Sequence, residues 1–155
     1  MFILAAGVIA SCSHNKSFIP EGAGGVRDSV YKMTASIAAD VTAKGPTAWL
    51  LYFEDTPSFF MASDGRLAFP NYDSARNFIN NTLVKSIRTI ILKWQDIHID
   101  VLSPELANIA ASFHEDIADV AGKTISIDGY FTALTHRATA GWRLRNAHWS
   151  IIKAN

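Results

Sequence analysis

Two hydrophobic periods divide the chain. Between residues 28 and 83 the apolar positions recur at helical spacing, broken by one short hairpin; from residue 87 onward they alternate with a period of two. In the first part Asp28 is suited to cap a helix over 28–43, with Val30, Met33, Ile37 and Val41 on one face. Lys44-Gly45-Pro46 stops it, and Pro46 opens a second short helix over 46–53, where Trp49, Leu50 and Phe53 share a side. Glu54-Asp55-Thr56-Pro57 reads as a turn, 58–62 as a strand, Asp64-Gly65 as a hairpin turn and 66–69 as the returning strand. Asp73 or Ser74 caps a third helix, with Ala75, Phe78, Ile79 and Leu83 on its apolar face.

The second part predicts four long strands, 87–102, 106–120, 124–137 and 141–152. Their links, at Ser103-Pro104, Ala121-Gly122-Lys123 and residues 138–140, are short enough to make neighbours antiparallel. At roughly 12–16 residues each, these strands exceed the usual length and must twist and bend at bulges. One bulge is visible in the pattern: apolar residues sit at 90, 92 and 94, then at 97, 99 and 101, so the phase flips at Gln95-Asp96. The expected fold class is α+β, a curved antiparallel sheet wrapped as a half-open cone around three N-terminal helices.

Composition narrows the function classes. A length of 155 residues bounds the chain to one domain plus a short extension, and 49% hydrophobic with 18% charged residues excludes a disordered chain. Fourteen Lys and Arg balance 14 Asp and Glu with no basic run, which argues against a nucleic-acid partner held by phosphate neutralisation. The single cysteine, Cys12, excludes an internal disulfide framework and a CxxC zinc site.

Residues 2–10 read FILAAGVIA, too short to span a bilayer and matched to the apolar region of a secretory signal. They lead into Ile9-Ala10-Ser11-Cys12, which resembles the lipobox of bacterial lipoproteins. That resemblance implies a signal peptide over 1–11, lipidation at Cys12, a polar, Gly-rich tether over 12–25 and a domain over 26–155. It also implies a lipid-anchored place in a bacterial cell envelope, Ser13 resembling the pattern sorted to an outer membrane. The alternative is an incidental cysteine in an N-terminal strand, and the lack of Lys or Arg before the apolar run speaks for it.

The domain itself resembles the nuclear-transport-factor-2-like superfamily, in its SnoaL-like and ketosteroid-isomerase-like branch. The match is carried by residues 48–55 (AWLLYFED), by Ser63-Asp64-Gly65-Arg66, and above all by residues 141–150, GWRLRNAHWS, which resemble the family's GWR-x-x-x-x-H-x-S ending. The resemblance covers about residues 26–152. It implies a cone with a pocket between sheet and helices, and a homodimer through the sheet. It does not fix the function, since such folds host isomerases, cyclases, hydrolases and binding modules alike.

Isomerase-type members place a general-base carboxylate on the first strand. Here residues 55–61 read DTPSFFM, and the strand holds no acid; Asp55 and Asp64 fall in turns and read as solvated. His98, His114, His136 and His148 sit one per long strand without metal-motif spacing and read as structural, with no metal and no cofactor expected. His148 stands apart, because it alternates with Trp142, Leu144 and Asn146, and the resemblance implies that it points into the cone. Arg143 and Arg145 fall on the opposite, outer face. The expected pocket comprises Trp49, Tyr52, Phe60, Tyr130, Thr132, Trp142, Asn146 and His148, an apolar cavity with a few orienting polar groups. The first functional expectation is a non-catalytic envelope module binding a small apolar or aromatic molecule or a protein partner. The alternatives are an isomerase, cyclase or hydrolase using His148 with Tyr130 or Asp128, and a purely structural dimerisation module.

Overall fold

The computed structural model describes residues 22–152, so the expected signal, Cys12 and residues 12–21 of the expected tether lie outside the described residues. Helix α1 (Ala23–Lys44) buries Val30, Met33, Ile37 and Val41 as the spacing predicts, together with Thr34. It starts five residues before Asp28, because the turn from Gly22 already closes with Val26 N–H donating to the Gly22 carbonyl at 3.2 Å. Residues 23–25 of the expected tether are therefore helical. Gly45 ends α1 at a positive φ of 77°, donating back to the Val41 carbonyl. Pro46–Leu51 then form a 3₁₀ turn, shorter than the predicted helix over 46–53.

The hairpin follows as β1 (Phe60–Ser63) and β2 (Arg66–Phe69). Asp64 and Gly65 both have positive φ, 46° and 80°, as a tight two-residue turn requires. Helix α2 (Tyr72–Phe78) is capped by Asn71, not by Asp73 or Ser74. The Asn71 side chain accepts from Ser74 N–H at 2.9 Å while Asn71 N–H donates to the Ser74 hydroxyl, a reciprocal box that uses Ser74 as its inner member. The helix then widens into a π turn at Ile79–Leu83 and closes as α3 (Val84–Ser86).

Four long strands complete the chain: β3 (Ile87–Val101), β4 (Leu106–Asp119), β5 (Thr124–Ala138) and β6 (Gly141–Ile151). They form one six-stranded, curved and unclosed sheet in the order β2-β1-β6-β5-β4-β3. All neighbours are antiparallel except β1, which runs parallel to β6. The predicted bulge is present: the β3–β4 register shifts between Gln95 and His98, and Asp96 takes a φ of 46°. A second bulge was not predicted. Leu134 pairs with Asn146 and Thr135 with Leu144, which leaves Arg145 as an extra residue in β6.

Inside the sheet's concave face five rings pack together: Trp49, Trp94, Phe113, Phe131 and Trp149. The Phe113 and Trp149 centroids lie 3.9 Å apart, Trp94 and Phe131 5.1 Å, Trp49 and Trp149 5.6 Å. Such pairs add about 0.5–1.5 kcal/mol each beyond the burial of their area. Gly129 makes the cluster possible. It pairs with Phe113 across β4–β5, and a Cβ there would collide with the Phe113 ring and with the Ser150 carbonyl. Gly129→Ala is expected to destabilise the fold by about 2–4 kcal/mol through overpacking against backbone that cannot yield. Chemical denaturation checks this, with Gly65→Val as the comparison, which should cost roughly 1–3 kcal/mol through backbone strain alone.

Candidate functional site

A cavity of about 430 Å³ opens between the sheet and the helical segments. Each wall comes from a different element. The 3₁₀ turn and the residues after it contribute Trp49 and Phe53; the β1–β2 hairpin contributes Met61, Ser63, Ala68 and Phe69. The α2–π segment contributes Phe78, Ile79 and Leu83. The sheet supplies Ile87 and Ile90 from β3, Glu115 and Ile117 from β4, Phe131 from β5 and Trp149 from β6. This is how small-molecule sites are generally built, apolar walls of suitable volume with very few polar groups.

One of those groups is ionisable. Glu115 occupies an inward position of β4, in the row Ala107, Ile109, Ala111, Phe113, Glu115, and is only 5% exposed. Its cross-strand neighbours are Leu92 on β3 and Ile127 on β5, and its same-face neighbours are Phe113 and Ile117, so nothing on the sheet beside it is polar. Among the described residues it makes no hydrogen bond and no ion pair. Burial without compensation pushes its carboxyl up to about 7, because the charged form loses water and gains no partner. Among the described residues, the only other hydroxyl or charged side chain lining the cavity is Ser63.

Most of the residues expected to form the pocket lie elsewhere. Trp49 lines it. Tyr52 and Trp142 are buried but do not line it. Tyr52 instead donates its hydroxyl to Asp40 at 2.6 Å, and burial together with that carboxylate pushes its pKa up to about 12. Phe60 is 43% exposed, because its neighbour Phe59 takes the inward position. Tyr130, Thr132, Asn146 and His148 form a cross-strand patch on the opposite, convex face, where Thr132 pairs with His148 and Leu134 with Asn146. Tyr130 is 43% exposed, and His148 is exposed as well.

The physical reason is the bulge at Arg145. Trp142 and Leu144 point inward before it; Ala147 and Trp149 point inward after it, so His148 is turned out by the same step that turns Trp149 in. Asp128 is also on the convex face, where it holds His114 Nδ1 at 2.7 Å. The hydrogen bond to Asp128, helped by a weaker one to Asp116, holds the His114 imidazole above its ordinary value, against the opposing effect of burial. None of His148, Tyr130 and Asp128, the expected catalytic combination, lines the cavity. His136 is structural, its Nδ1 lying 2.8 Å from the buried carboxylate of Glu54. Asp64 serves the turn, accepting from Ile151 N–H at 3.0 Å.

Glu115 itself went unread in the sequence, although its signal was there. A lone acid in a period-two apolar row is either a bulge or a buried carboxylate, and β4 has no bulge at that point.

No family model matches the chain, and no curated protein matches its sequence. Solved structures do match its fold. A nuclear-transport-factor-2-like superfamily protein from Salmonella enterica serovar Typhimurium superposes with a TM-score of 0.72 at 18% identity, over 85% of this chain and 94% of that one. Hexachlorocyclohexane dehydrochlorinase from Novosphingobium barchaimii gives 0.66 at 12%, over 83% and 88%. A ketosteroid isomerase-like protein from Erwinia carotovora gives 0.64 at 12%, over 82% and 96%. The architecture is therefore the nuclear-transport-factor-2-like α+β fold, as the sequence resemblance implied.

The raised pKa of Glu115 has a stability consequence. Its folded value, about 7, lies above its unfolded value of 4.5, so the folded chain holds the proton more tightly and loses stability as pH rises across that interval. Glu115→Gln removes this loss. The variant is expected to match the wild type near pH 4 and to exceed it by an amount on the order of 3 kcal/mol above pH 8. Urea unfolding across that pH range checks the prediction.

Proposed function

We propose that this chain binds a small, largely hydrocarbon or aromatic molecule in the cavity between sheet and helices. The observation that carries the reading is the cavity itself: about 430 Å³, walled by aromatic and aliphatic side chains, with Glu115 as its one ionisable group among the described residues. The five-ring cluster fills the neighbouring space on the concave face. The convex patch of Tyr130, Thr132 and His148 is proposed as the face through which two copies of the chain associate. A lipid anchor at a bacterial envelope is part of the same proposal, supported by the lipobox-like residues ending in Cys12.

One observation favours a second reading, catalysis by proton transfer. A carboxyl poised near neutrality is a competent general acid or base at the operating pH, and Glu115 is such a group in an apolar-walled cavity. The structural neighbours include a dehydrochlorinase and a ketosteroid isomerase-like protein. In this reading Glu115 replaces His148 as the group that moves the proton, while the ligand and cavity stay the same. Binding is the better-supported function, because among the described residues the lining offers, besides Glu115, only the Ser63 hydroxyl and the indole N–H groups of Trp49 and Trp149 as polar groups.

Thermal-shift screening against small alicyclic and aromatic compounds tests the binding reading. A ligand present at about 100 times its Kd should raise the melting temperature by roughly 5–10 °C. Ala68→Trp, an exposed position on the cavity lining, should abolish that shift without lowering the melting temperature of the free protein. A shift that survives Ala68→Trp would place the ligand elsewhere and overturn the reading. If a compound found this way is turned over, Glu115→Gln should slow the reaction at least about 100-fold. For the anchor, Cys12→Ser should move the protein from salt-washed membranes to the soluble fraction, and a variant that still pellets would remove the lipoprotein reading.

A further inference from the structure

Glu115 is a charge the fold leaves open. Its strand neighbours Phe113 and Ile117 and its cross-strand neighbours Leu92 and Ile127 are all apolar. Across the cavity, β1 presents Met61 and Ser63, and the α2–π segment presents Phe78, Ile79 and Leu83. No lysine, arginine or histidine among the described residues lines the cavity, and no hydrogen-bond donor among them reaches the carboxylate. A buried carboxylate without a counter-charge is costly, and folded proteins ordinarily supply one. Here the carboxylate lines a cavity of about 430 Å³ whose other walls include Trp49, Phe131 and Trp149. Aromatic faces carry negative quadrupole potential and attract cations. The cavity therefore combines an unpaired anion with cation-attracting walls, and it opposes a second anion.

We infer that the ligand of this cavity is a lipophilic amine, whose ammonium end pairs with the Glu115 carboxylate and whose hydrocarbon body fills the apolar remainder. The inference rests on the cavity being a small-molecule site, as proposed above, and names the class of molecule it takes. The ammonium brings the counter-charge that the protein omits, with up to three N–H donors for the carboxylate oxygens. A neutral ligand of equal shape leaves Glu115 unpaired or protonated, and a carboxylate ligand meets repulsion in a medium that screens it poorly.

Three probes of one shape separate the cases: 4-phenylbutylamine, 4-phenylbutanol and 4-phenylbutyrate, titrated into the full chain at pH 8. Tryptophan fluorescence reads the binding, since Trp49 and Trp149 line the cavity. The amine is expected to bind at least about 10-fold more tightly than the alcohol, with the butyrate weakest of the three. Glu115→Gln is expected to erase the preference for the amine while leaving the alcohol's affinity within about 3-fold. On the wild type alone, the amine's affinity should fall as pH drops below about 7, where Glu115 takes up its proton, while the alcohol's should not. Equal affinity for amine and alcohol, or a preference untouched by Glu115→Gln, overturns the amine assignment and leaves the cavity reading standing. Failure of both amine and alcohol to bind overturns the cavity reading itself and the assignment with it.

Discussion

Everything else in this fold is arranged around five aromatic rings that the sheet must close upon. Trp94, Phe113, Phe131 and Trp149 come from four consecutive strands, and Trp49 comes from the 3₁₀ turn that α1 delivers through Gly45 and Pro46. Their packing sets the curvature of the sheet, since strands that stayed flat could not bring rings from β3 and β6 within contact of each other. The glycine at 129 is the complementary constraint, a position where the backbone gives up a side chain so that Phe113 can lie across it. Three of the rings, Trp49, Phe131 and Trp149, also wall the cavity, together with aliphatic residues such as Ile90 and Ile117 from the neighbouring strands.

The elements of the fold were legible because long strands and amphipathic helices announce themselves by period. Val30, Met33, Ile37 and Val41 fall inside α1, and the phase flip at Gln95-Asp96 is a bulge. The pocket was less legible, for a reason located at one residue. Residues 142, 144, 147 and 149 are apolar and buried, a row that itself skips a beat, yet an unbroken alternation from Trp142 to His148 reads the skip as absent. A single extra residue, Arg145, exchanges the two faces of everything after it. Tyr130 and Thr132, paired with Ser150 and His148 on β6, fall on the convex face with them. On β5 the larger apolar residue, Phe131, already marks the inward face.

Glu115 shows the opposite case, a residue whose position was readable and whose meaning was not. The period of β4 places it inward, but only the three-dimensional arrangement reveals that no partner meets it. A carboxylate at that depth would be answered by an arginine or a lysine in a purely structural core, as Asp40 is answered by Lys44 and Tyr52 at the surface of α1. The contrast between the two acids separates a group that secures the fold from one that the fold tolerates.

The π turn at Ile79–Leu83 has a further consequence, in the currency of insertions and deletions. A π turn is an α-helical turn carrying one surplus residue, and here it supplies Ile79 and Leu83 to the cavity wall. Losing one residue from it would restore ordinary helical winding with Val84–Ser86 and β3 kept in place, narrowing the wall between Ile79 and Leu83. Such a change would leave the sheet, the ring cluster and α1 untouched. The shape of this cavity is thus separable from the stability of its frame, and a lineage built on this scaffold could reshape what it holds by a single-codon deletion without first having to refold.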